Sequence, residues 1–272
     1  MSTKLIIVSL VALMLALYLR HLRKRTSCVQ DKNKWYLDED ELRTYTGDLK
    51  GKINYLFWTG GLDSTFRLCQ ILIDRKEKVQ PIYLLCRDLD SESPQIQRKN
   101  KKKEIKTMKN IRKALHKKYP HSRNLMLPTL YVYGIQKDLE ISKDYQTLRQ
   151  EYGHFASRTI TQYERIARFS IHYGQSVEVG LERCGTGLDK ATYDKRTLPG
   201  DECILRKDID KPFKIFKNLK FPMAHLSKEE YLEISSRNGY FDILKLSWSC
   251  WYPRVDGNPC GKCQMCKKRI LK

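Results

Sequence analysis

Four cysteines near the end of the chain have a spacing that can hold a zinc ion. Cys250 is followed by Cys260, Cys263 and Cys266, so that two overlapping Cys-x-x-Cys steps come after a single upstream cysteine. A proline and a glycine flank Cys260 and favour a tight turn, which would return the later sulfurs toward Cys250. Four thiolates complete a tetrahedron around zinc and leave no open position for water or substrate. The spacing therefore predicts a structural zinc site.

A second candidate site is the glycine pair Gly60-Gly61, which lies between a strand pattern at 53–58 and a helix pattern at 65–74. Backbone N–H groups of paired glycines can approach an anion closely, and a helix N-terminus favours negative charge there. Hydroxyl groups at 59 and 64 add donors. No Gly-Lys-Ser/Thr step follows, so this is not a Walker loop. The pattern predicts a phosphate-binding loop, with the nucleotide-binding candidates Trp58, Thr59, Gly60, Gly61, Leu62, Asp63, Ser64 and Thr65.

The segment 59–64 resembles the pyrophosphate-binding loop of the PP-loop ATPases, which reads Ser-Gly-Gly-x-Asp-Ser. Thr59 stands where that family usually has serine, and it keeps the hydroxyl group. Enzymes of this superfamily split ATP between its α and β phosphates, so that an acceptor oxygen is adenylated and pyrophosphate leaves. The resemblance implies ATP and Mg²⁺ as cofactors, with Asp63 near the magnesium–pyrophosphate end and Ser64 at the phosphates.

The end of the chain is similar to that of 7-cyano-7-deazaguanine synthase, a PP-loop enzyme of queuosine biosynthesis. The similarity rests on Ser249-Cys250, on 260–266 followed by Arg269, and on Phe221-Pro222 ahead of 226–231. It implies an ATP-dependent carbon–nitrogen ligase that adenylates the carboxylate of 7-carboxy-7-deazaguanine. Ammonia then displaces AMP to form the amide, and a second adenylation allows dehydration to the nitrile. Zn²⁺ would be structural in such an enzyme.

The candidate catalytic residues are Asp63, Ser64, Arg158 and Lys228. Arg158 is a candidate contact for an anion or for the substrate, and a surface salt bridge is its alternative role. Lys228 could reach a phosphate, and the alternative is a solvated lysine in the first turn of a helix. Glu182, which follows a predicted strand, could contact a polar base edge.

Alternating strand and helix patterns predict an α/β fold, a doubly wound and mostly parallel sheet. A capping box at Ser227 and Glu230 begins another helix, and Asn238-Gly239 ends it. The predicted organisation is an anchor at 1–25, a linker at 26–50, the nucleotide-binding domain at 51–245 and a zinc-binding segment at 246–272. The predicted strands are 53–58, 79–86, 129–133 and 177–181, and the predicted helices include 65–74, 98–118 and 161–173.

The net charge of +21 is concentrated in one segment, because 98–118 holds eleven Lys or Arg residues and a single acid, Glu104. Apolar residues recur there at three- and four-residue steps, which predicts an amphipathic helix with a cationic outer face. Such a face could contact nucleic acid or anionic lipid. The alternative is an ordinary solvated helix face. The apolar positions are Ile105, Met108, Ile111 and Leu115.

An uninterrupted apolar run at 5–19 precedes four basic residues within 20–25, while Lys4 stands alone before it. The run predicts a single-pass membrane anchor, and the positive flank predicts that the catalytic domain faces the cytoplasm. That compartment agrees with reduced zinc thiolates. The alternatives are a cleaved targeting peptide, which the sequence Tyr18-Leu19-Arg20 disfavours, and a buried helix. The oligomeric state stays open, with a homodimer as one option.

Two other functions compete with the ligase. One is a PP-loop enzyme that amidates or thiolates a nucleobase in tRNA or DNA, and thiolation would need a reactive cysteine such as Cys184 or Cys203. The other is a membrane-tethered protein that binds zinc and nucleotide without catalysis. The sequence argues against a binding protein without catalysis, since a decayed site would not keep all of its anion ligands. The ligands present are Gly60, Gly61, Asp63 and Ser64.

Overall fold

The computed structural model describes residues 34–88, 100–152, 161–182 and 204–271, and six strands within these ranges form one sheet. The strand order is β1-β4-β3-β2-β5-β6. Strand β1 runs antiparallel to β4, and the other neighbours are parallel. The strands are β1 (Lys34–Leu37), β2 (Ile53–Phe57), β3 (Lys78–Asp88), β4 (Leu130–Ile135), β5 (Val177–Glu178) and β6 (Leu219–Lys220).

Helices connect these strands in the order that the sequence pattern indicates. They are α1 (Glu39–Thr44), α2 (Leu62–Cys69), α3 (Lys101–Lys118), α4 (Ser122–Leu125), α5 (Leu139–Tyr152), α6 (Thr161–Tyr173), α7 (Lys228–Arg237), α8 (Phe241–Lys245) and α9 (Gln264–Lys267). A π-helical turn, Gln70–Asp74, extends α2, and a 3₁₀ helix, Lys211–Phe216, precedes β6.

Local side-chain chemistry sets both ends of α7. The Ser227 hydroxyl accepts from the N–H of Glu230, and the Glu230 carboxylate accepts from the N–H of Ser227 at 2.6 Å. This reciprocal pair is the predicted capping box. Gly239, with φ of +82°, lies just beyond the helix, where a left-handed conformation suits glycine. The predicted start and end of this helix are confirmed.

Two hydrophobic cores lie on opposite faces of the sheet, because successive strand residues point to opposite sides. In β2, Leu56 packs into one core and Phe57 into the other. Helices α2, α3, α7 and α8 cover the Leu56 side, while α5, α6 and the 3₁₀ helix cover the Phe57 side. Stacking of Phe66 on Tyr231, with ring centroids 4.5 Å apart, joins α2 to α7. The predicted α/β fold with a mostly parallel sheet is confirmed.

The region predicted as a linker, 26–50, contributes an edge strand and a helix where it is described. Strand β1 and helix α1 both lie within it. The carboxylate of Glu41 explains the attachment, since it accepts from the N–H of Thr129 at 2.7 Å and pairs with Arg112 at 2.9 Å. Both contacts come from residues far along the chain. Glu41, one of the polar residues that suggested a linker, is therefore buried and paired.

The predicted membrane-anchored placement is corrected. Among the described residues, no helix combines the length and the apolar character that crossing a membrane requires. The apolar run at 5–19, on which the prediction rested, lies outside the described residues.

Candidate active site and metal centre

The glycine loop lies at the carboxyl end of β2, between β2 and α2. Strand β2 is in the middle of the sheet, with β3 on one side and β5 on the other. The chain therefore reverses its winding direction next to β2. Parallel α/β sheets open a crevice at such a switch point, beyond the carboxyl ends of the strands, and ligands bind there.

Close packing around the loop requires glycine at 60. Gly60 has φ of +70°, and a Cβ there would lie 3.1 Å from the Thr107 side chain on α3. Its carbonyl accepts from the N–H of Trp248 at 2.9 Å, which ties the loop to the chain just before the first zinc cysteine. The Ser64 hydroxyl lies 3.5 Å from the N–H of Thr59 and 3.4 Å from the carbonyl of Gly61, so the loop closes on itself.

Two of the predicted nucleotide-binding residues face the core instead of the crevice. The side chains of Trp58 and Thr65 are fully buried, and Trp58 Nε1 donates to Thr65 Oγ1 at 3.2 Å. Trp58 occupies a strand position of the same parity as Leu56, so it points to the same core. The side chains of both residues therefore support the loop from behind.

Sequence reasoning missed Gly180, which brings the chain after β5 against the start of α2. A Cβ at Gly180 would lie 2.9 Å from the backbone nitrogen of Ser64 and 3.1 Å from the carbonyl carbon of Asp63. Real Cβ atoms do not approach backbone so closely. A glycine directly after a short apolar strand was the available signal. Only glycine lets the end of β5 pack here.

A cavity of about 280 Å³ opens at this edge of the sheet. It receives residues from the glycine loop, from the start of α3, from α6, from the end of β5, from α7 and from the chain around the four cysteines. Its size is near the lower end of the range for small-molecule sites. The polar and charged residues that line it are Thr59, Asp63, Ser64, Asn100, Glu104, Tyr163, Lys228, Ser247, Ser249, Lys268 and Arg269.

Three charged groups control the electrostatics at the loop. Lys228 Nζ donates to Glu182 Oε1 at 2.8 Å. Burial raises the pKa of the Asp63 carboxyl to about 6, Lys228 opposes this rise, and Glu182 adds to it. Burial lowers the pKa of Lys228, but the negative charges of Asp63 and Glu182 outweigh burial and leave that pKa above its ordinary value. The Oδ1 atom of Asp63 is buried and has no hydrogen-bond partner within the described ranges.

Glu104 is the single acid of the basic segment 98–118, and its side chain points into the protein. Its carboxylate accepts from the Tyr83 hydroxyl at 2.5 Å and from Asn100 Nδ2 at 2.8 Å. The side chain is buried and lines the cavity. Its position four residues before Met108 and seven before Ile111, on the same face of the helix as these apolar residues, was the signal that could have identified it.

The four predicted metal ligands converge. The Sγ atoms of Cys250, Cys260, Cys263 and Cys266 all lie within 4.8 Å of one another. Those of Cys260 and Cys266 are 3.8 Å apart. A tetrahedral site with Zn–S bonds near 2.3 Å has sulfur–sulfur distances of about 3.8 Å, so the cluster fits zinc.

Backbone N–H groups donate to three of the four sulfurs, whereas burial raises the pKa of the Cys250 and Cys266 thiols. The N–H of Cys260 donates to the sulfur of Cys250 at 3.3 Å, that of Cys263 to Cys260 at 3.3 Å, and that of Cys266 to Cys263 at 3.4 Å. The N–H of Cys263 is the main cause that lowers the pKa of the Cys260 thiol. Gly261, with φ of +69°, makes the turn inside the first Cys-x-x-Cys step, between Cys260 and Cys263. The thiolates, with no open position, suit a structural metal.

The zinc segment also completes the cavity. Immediately after the last cysteine, the chain returns so that Lys268 and Arg269 line the cavity and Leu271 is buried in the core. The metal centre therefore holds cationic side chains opposite the glycine loop, although the two motifs are about two hundred residues apart. Arg269 carries no ion pair within the described part of the chain.

Several predicted residues lie outside the described residues. These are Arg158, Cys184 and Cys203. The predicted roles of these residues remain predictions.

Comparison with known proteins supports the resemblance at the C-terminal end. Residues 207–271 match a family model described as Queuosine biosynthesis protein QueC. The match includes α7, the four cysteines and Arg269, and it agrees with the predicted QueC-like PP-loop ATPase family. The match is partial: it begins at residue 207 and does not include the glycine loop at 59–64. A search of curated proteins found no match.

Proposed function

We propose that the protein is an ATP-dependent carbon–nitrogen ligase of the queuosine-biosynthesis type, which adenylates the carboxylate of 7-carboxy-7-deazaguanine and transfers ammonia to it. One observation carries the proposal. The glycine loop at 59–64 and the chain that follows the zinc cysteines line the same cavity, and the family match covers the second of these parts.

The glycine loop would hold the phosphates of ATP. The open N-terminus of α2 presents backbone N–H groups toward the cavity, and Thr59 and Ser64 add hydroxyl groups. The buried, unpartnered oxygen of Asp63 fits a magnesium ion, because Mg²⁺ in nucleotide sites takes one or two carboxylates together with phosphate oxygens and water. When bound, the magnesium would neutralise charge on the departing pyrophosphate.

Lys228 is the proposed phosphate contact from the opposite wall. Its ammonium group is held by Glu182 at 2.8 Å, which keeps the long side chain beside the loop. Because its pKa is raised, Lys228 is charged at neutral pH and can stabilise the negative charge that develops during adenylation. Glu182 acts by holding Lys228, so its proposed role is positioning.

Arg269 is the proposed contact for the carboxylate that becomes adenylated. Arg269 lines the cavity and forms no ion pair with a carboxylate among the described residues, and arginine pairs with carboxylates through two parallel hydrogen bonds. Zinc would fix the position of this arginine without taking part in the reaction. A carboxylate is a poor electrophile until AMP makes its oxygen a good leaving group, which is the chemical reason for using ATP.

The test uses the full chain with ATP, Mg²⁺, ammonia and 7-carboxy-7-deazaguanine, followed by mass spectrometry. We expect AMP, pyrophosphate and an amide or nitrile product. The Lys228→Met variant should lose at least about tenfold in kcat, since a charge acting on the transition state is removed. The Lys214→Met variant, changed at an exposed lysine of the 3₁₀ helix, should match the parent protein. Folded, zinc-loaded protein that binds ATP but forms no AMP with this substrate would contradict the proposal.

A further inference from the structure

Four lysines form a line along the outer face of α3. Lys102, Lys106, Lys113 and Lys117 are all exposed, and each lacks an acidic partner among the residues that the structure describes. Their steps of four, seven and four residues place them within an arc of about 60° on a helix of 3.6 residues per turn. The line is about 22 Å long, at 1.5 Å per residue. We call these four residues the lysine stripe.

Two other lysines of the same helix, Lys109 and Lys118, have acidic partners within the protein. Lys109 Nζ lies 3.4 Å from a carboxylate oxygen of Asp38, and Lys118 Nζ lies 2.7 Å from one of Asp242. None of the four lysines of the stripe forms such a pair among the described residues. Like charges along one face repel each other and weaken the helix, so the fold itself gives no reason for the arrangement. An external anion would supply the missing countercharge.

The buried side of α3 shows which kind of anion fits. An amphipathic helix that lies in a membrane surface inserts an apolar face into the lipid. In this helix the apolar residues Met108, Ile111 and Leu115 are fully buried in the protein core. Only charged and polar groups are therefore left for a partner. A phosphate polymer needs no more than that, because its binding is dominated by pairing of lysine with successive phosphates.

The stripe continues onto the zinc segment. Lys103, next to the first stripe residue, has its Nζ 4.6 Å from the ring centroid of Trp248. It also lies 4.0 Å from the position that a Cβ on Gly257 would occupy. The hairpin that holds Gly257 exposes Tyr252 at 43% and Val255 at its tip, and Lys262 and Lys267 are exposed on the following cysteine turn. Cations and the exposed side chains of Tyr252 and Val255 thus follow one another from α3 to the zinc segment.

We propose that the lysine stripe and the zinc segment together form a docking surface for single-stranded nucleic acid. The stripe pairs with backbone phosphates, and the side chains at the hairpin contact unstacked bases. Zinc knuckles and aromatic surfaces bind single strands in this way because every base has a face that can stack. Trp248 lines the cavity and lies between the two parts, so the bound strand passes the mouth of the proposed active site. Docking does not depend on the proposed reaction.

The test is a fluorescence-anisotropy titration of the full chain with a labelled single-stranded RNA, without ATP. Four phosphate contacts on a single strand predict that affinity falls about fifty-fold between about 50 and 200 mM salt. The variant with Lys102, Lys106, Lys113 and Lys117 all changed to Glu should bind at least about tenfold more weakly at the lower salt concentration and lose most of this salt dependence. Circular dichroism and zinc content establish that the variant is folded.

The matched control changes four exposed lysines in and beside the 3₁₀ helix, Lys207, Lys211, Lys214 and Lys217, to Glu, and this helix covers the other face of the sheet. We expect this variant to bind the RNA like the parent protein, and duplex RNA of the same length to compete less well than the single strand. An equal loss of RNA affinity in both variants would show that net charge alone explains the binding, and it would overturn the proposal. So would equal competition by duplex, or stripe-dependent binding to phosphatidylserine vesicles without binding to RNA.

Discussion

Arg67 and Glu178 form a buried, two-point ion pair between α2, the helix after the glycine loop, and strand β5. Arg67 Nε lies 2.7 Å from Glu178 Oε2, and Nη2 lies 2.9 Å from Oε1. Both side chains are almost completely buried, with exposed fractions of 2% and 3%. The pair joins the two elements that flank the switch point of the sheet. It therefore holds the walls of the cavity in register, beneath the loop and behind Gly180.

The first prediction concerns this pair. Glu178→Ala should lower the free energy of unfolding by about 3–5 kcal/mol, because it leaves the Arg67 guanidinium buried without a counterion. Urea denaturation measures the change. The control is Asp208→Ala, which breaks an exposed pair with Arg206 and should leave the midpoint where it is. Similar losses for the two variants would show that burial does not decide the strength of the Arg67 pair.

The second prediction concerns the metal. Cys263→Ser should abolish stoichiometric zinc binding, measured by elemental analysis, since three thiolates cannot complete the tetrahedron. Adenylation should fall with it, because Arg269 is positioned by the turn that zinc stabilises. Cys69→Ala, which changes a buried cysteine far from the cluster, should keep one zinc per chain. Full activity of zinc-free Cys263→Ser would show that the cavity forms without the metal, and it would refute the proposed link between zinc and the position of Arg269.

The third prediction follows from the raised pKa of Asp63. A carboxyl with a folded pKa of about 6 and an unfolded value near 3.9 holds its proton in the folded state between these values. The contribution of this carboxyl to stability should therefore be largest near pH 4 and should be lost as pH rises to about 6, a change of up to about 3 kcal/mol. Asp63→Asn cannot titrate and should lack this part of the pH dependence. Parallel urea titrations of both proteins across that range measure the difference.

The protonation state of Asp63 should also control the binding of magnesium. Binding of Mg²⁺–ATP should strengthen between pH 5 and pH 7 in the parent protein, since a protonated carboxyl is a poor ligand. Asp63→Asn should bind weakly at both values. A parent protein whose affinity for Mg²⁺–ATP does not change across this range would argue against a metal contact by Asp63.

The fourth prediction compares two glycines. Gly180→Ala puts a methyl group 2.9 Å from the backbone nitrogen of Ser64, so the glycine loop must shift and affinity for ATP should fall at least about tenfold. Gly174→Ala meets no atom within 4 Å, but it strains a backbone with φ of +69° and should cost about 1 kcal/mol in stability. Isothermal titration with ATP distinguishes the two. Loss of ATP binding in Gly174→Ala but not in Gly180→Ala would contradict the assignment.

The sequence by itself was sufficient to predict the features that depend on residues a few positions apart. The two Cys-x-x-Cys steps, the glycine loop after a strand and the capping box at Ser227 each lie within a few residues, where local geometry controls the outcome. The spacing of apolar residues likewise predicted the α/β class, the parallel strands β2 to β5 and helices α3 and α6, because burial follows the period of each element. Strand β1 and helix α5 were not predicted.

The tertiary structure decided which of these pieces meet. Nothing near Glu178 in the sequence indicates Arg67, and nothing near Gly60 indicates Trp248, since each pair is joined only by the order of strands in the sheet. The same order turns Trp58 and Thr65 into the core and brings Arg269 to the cavity. Contacts between residues so far apart depend on the packing of both faces of the sheet at once, which a local pattern does not contain.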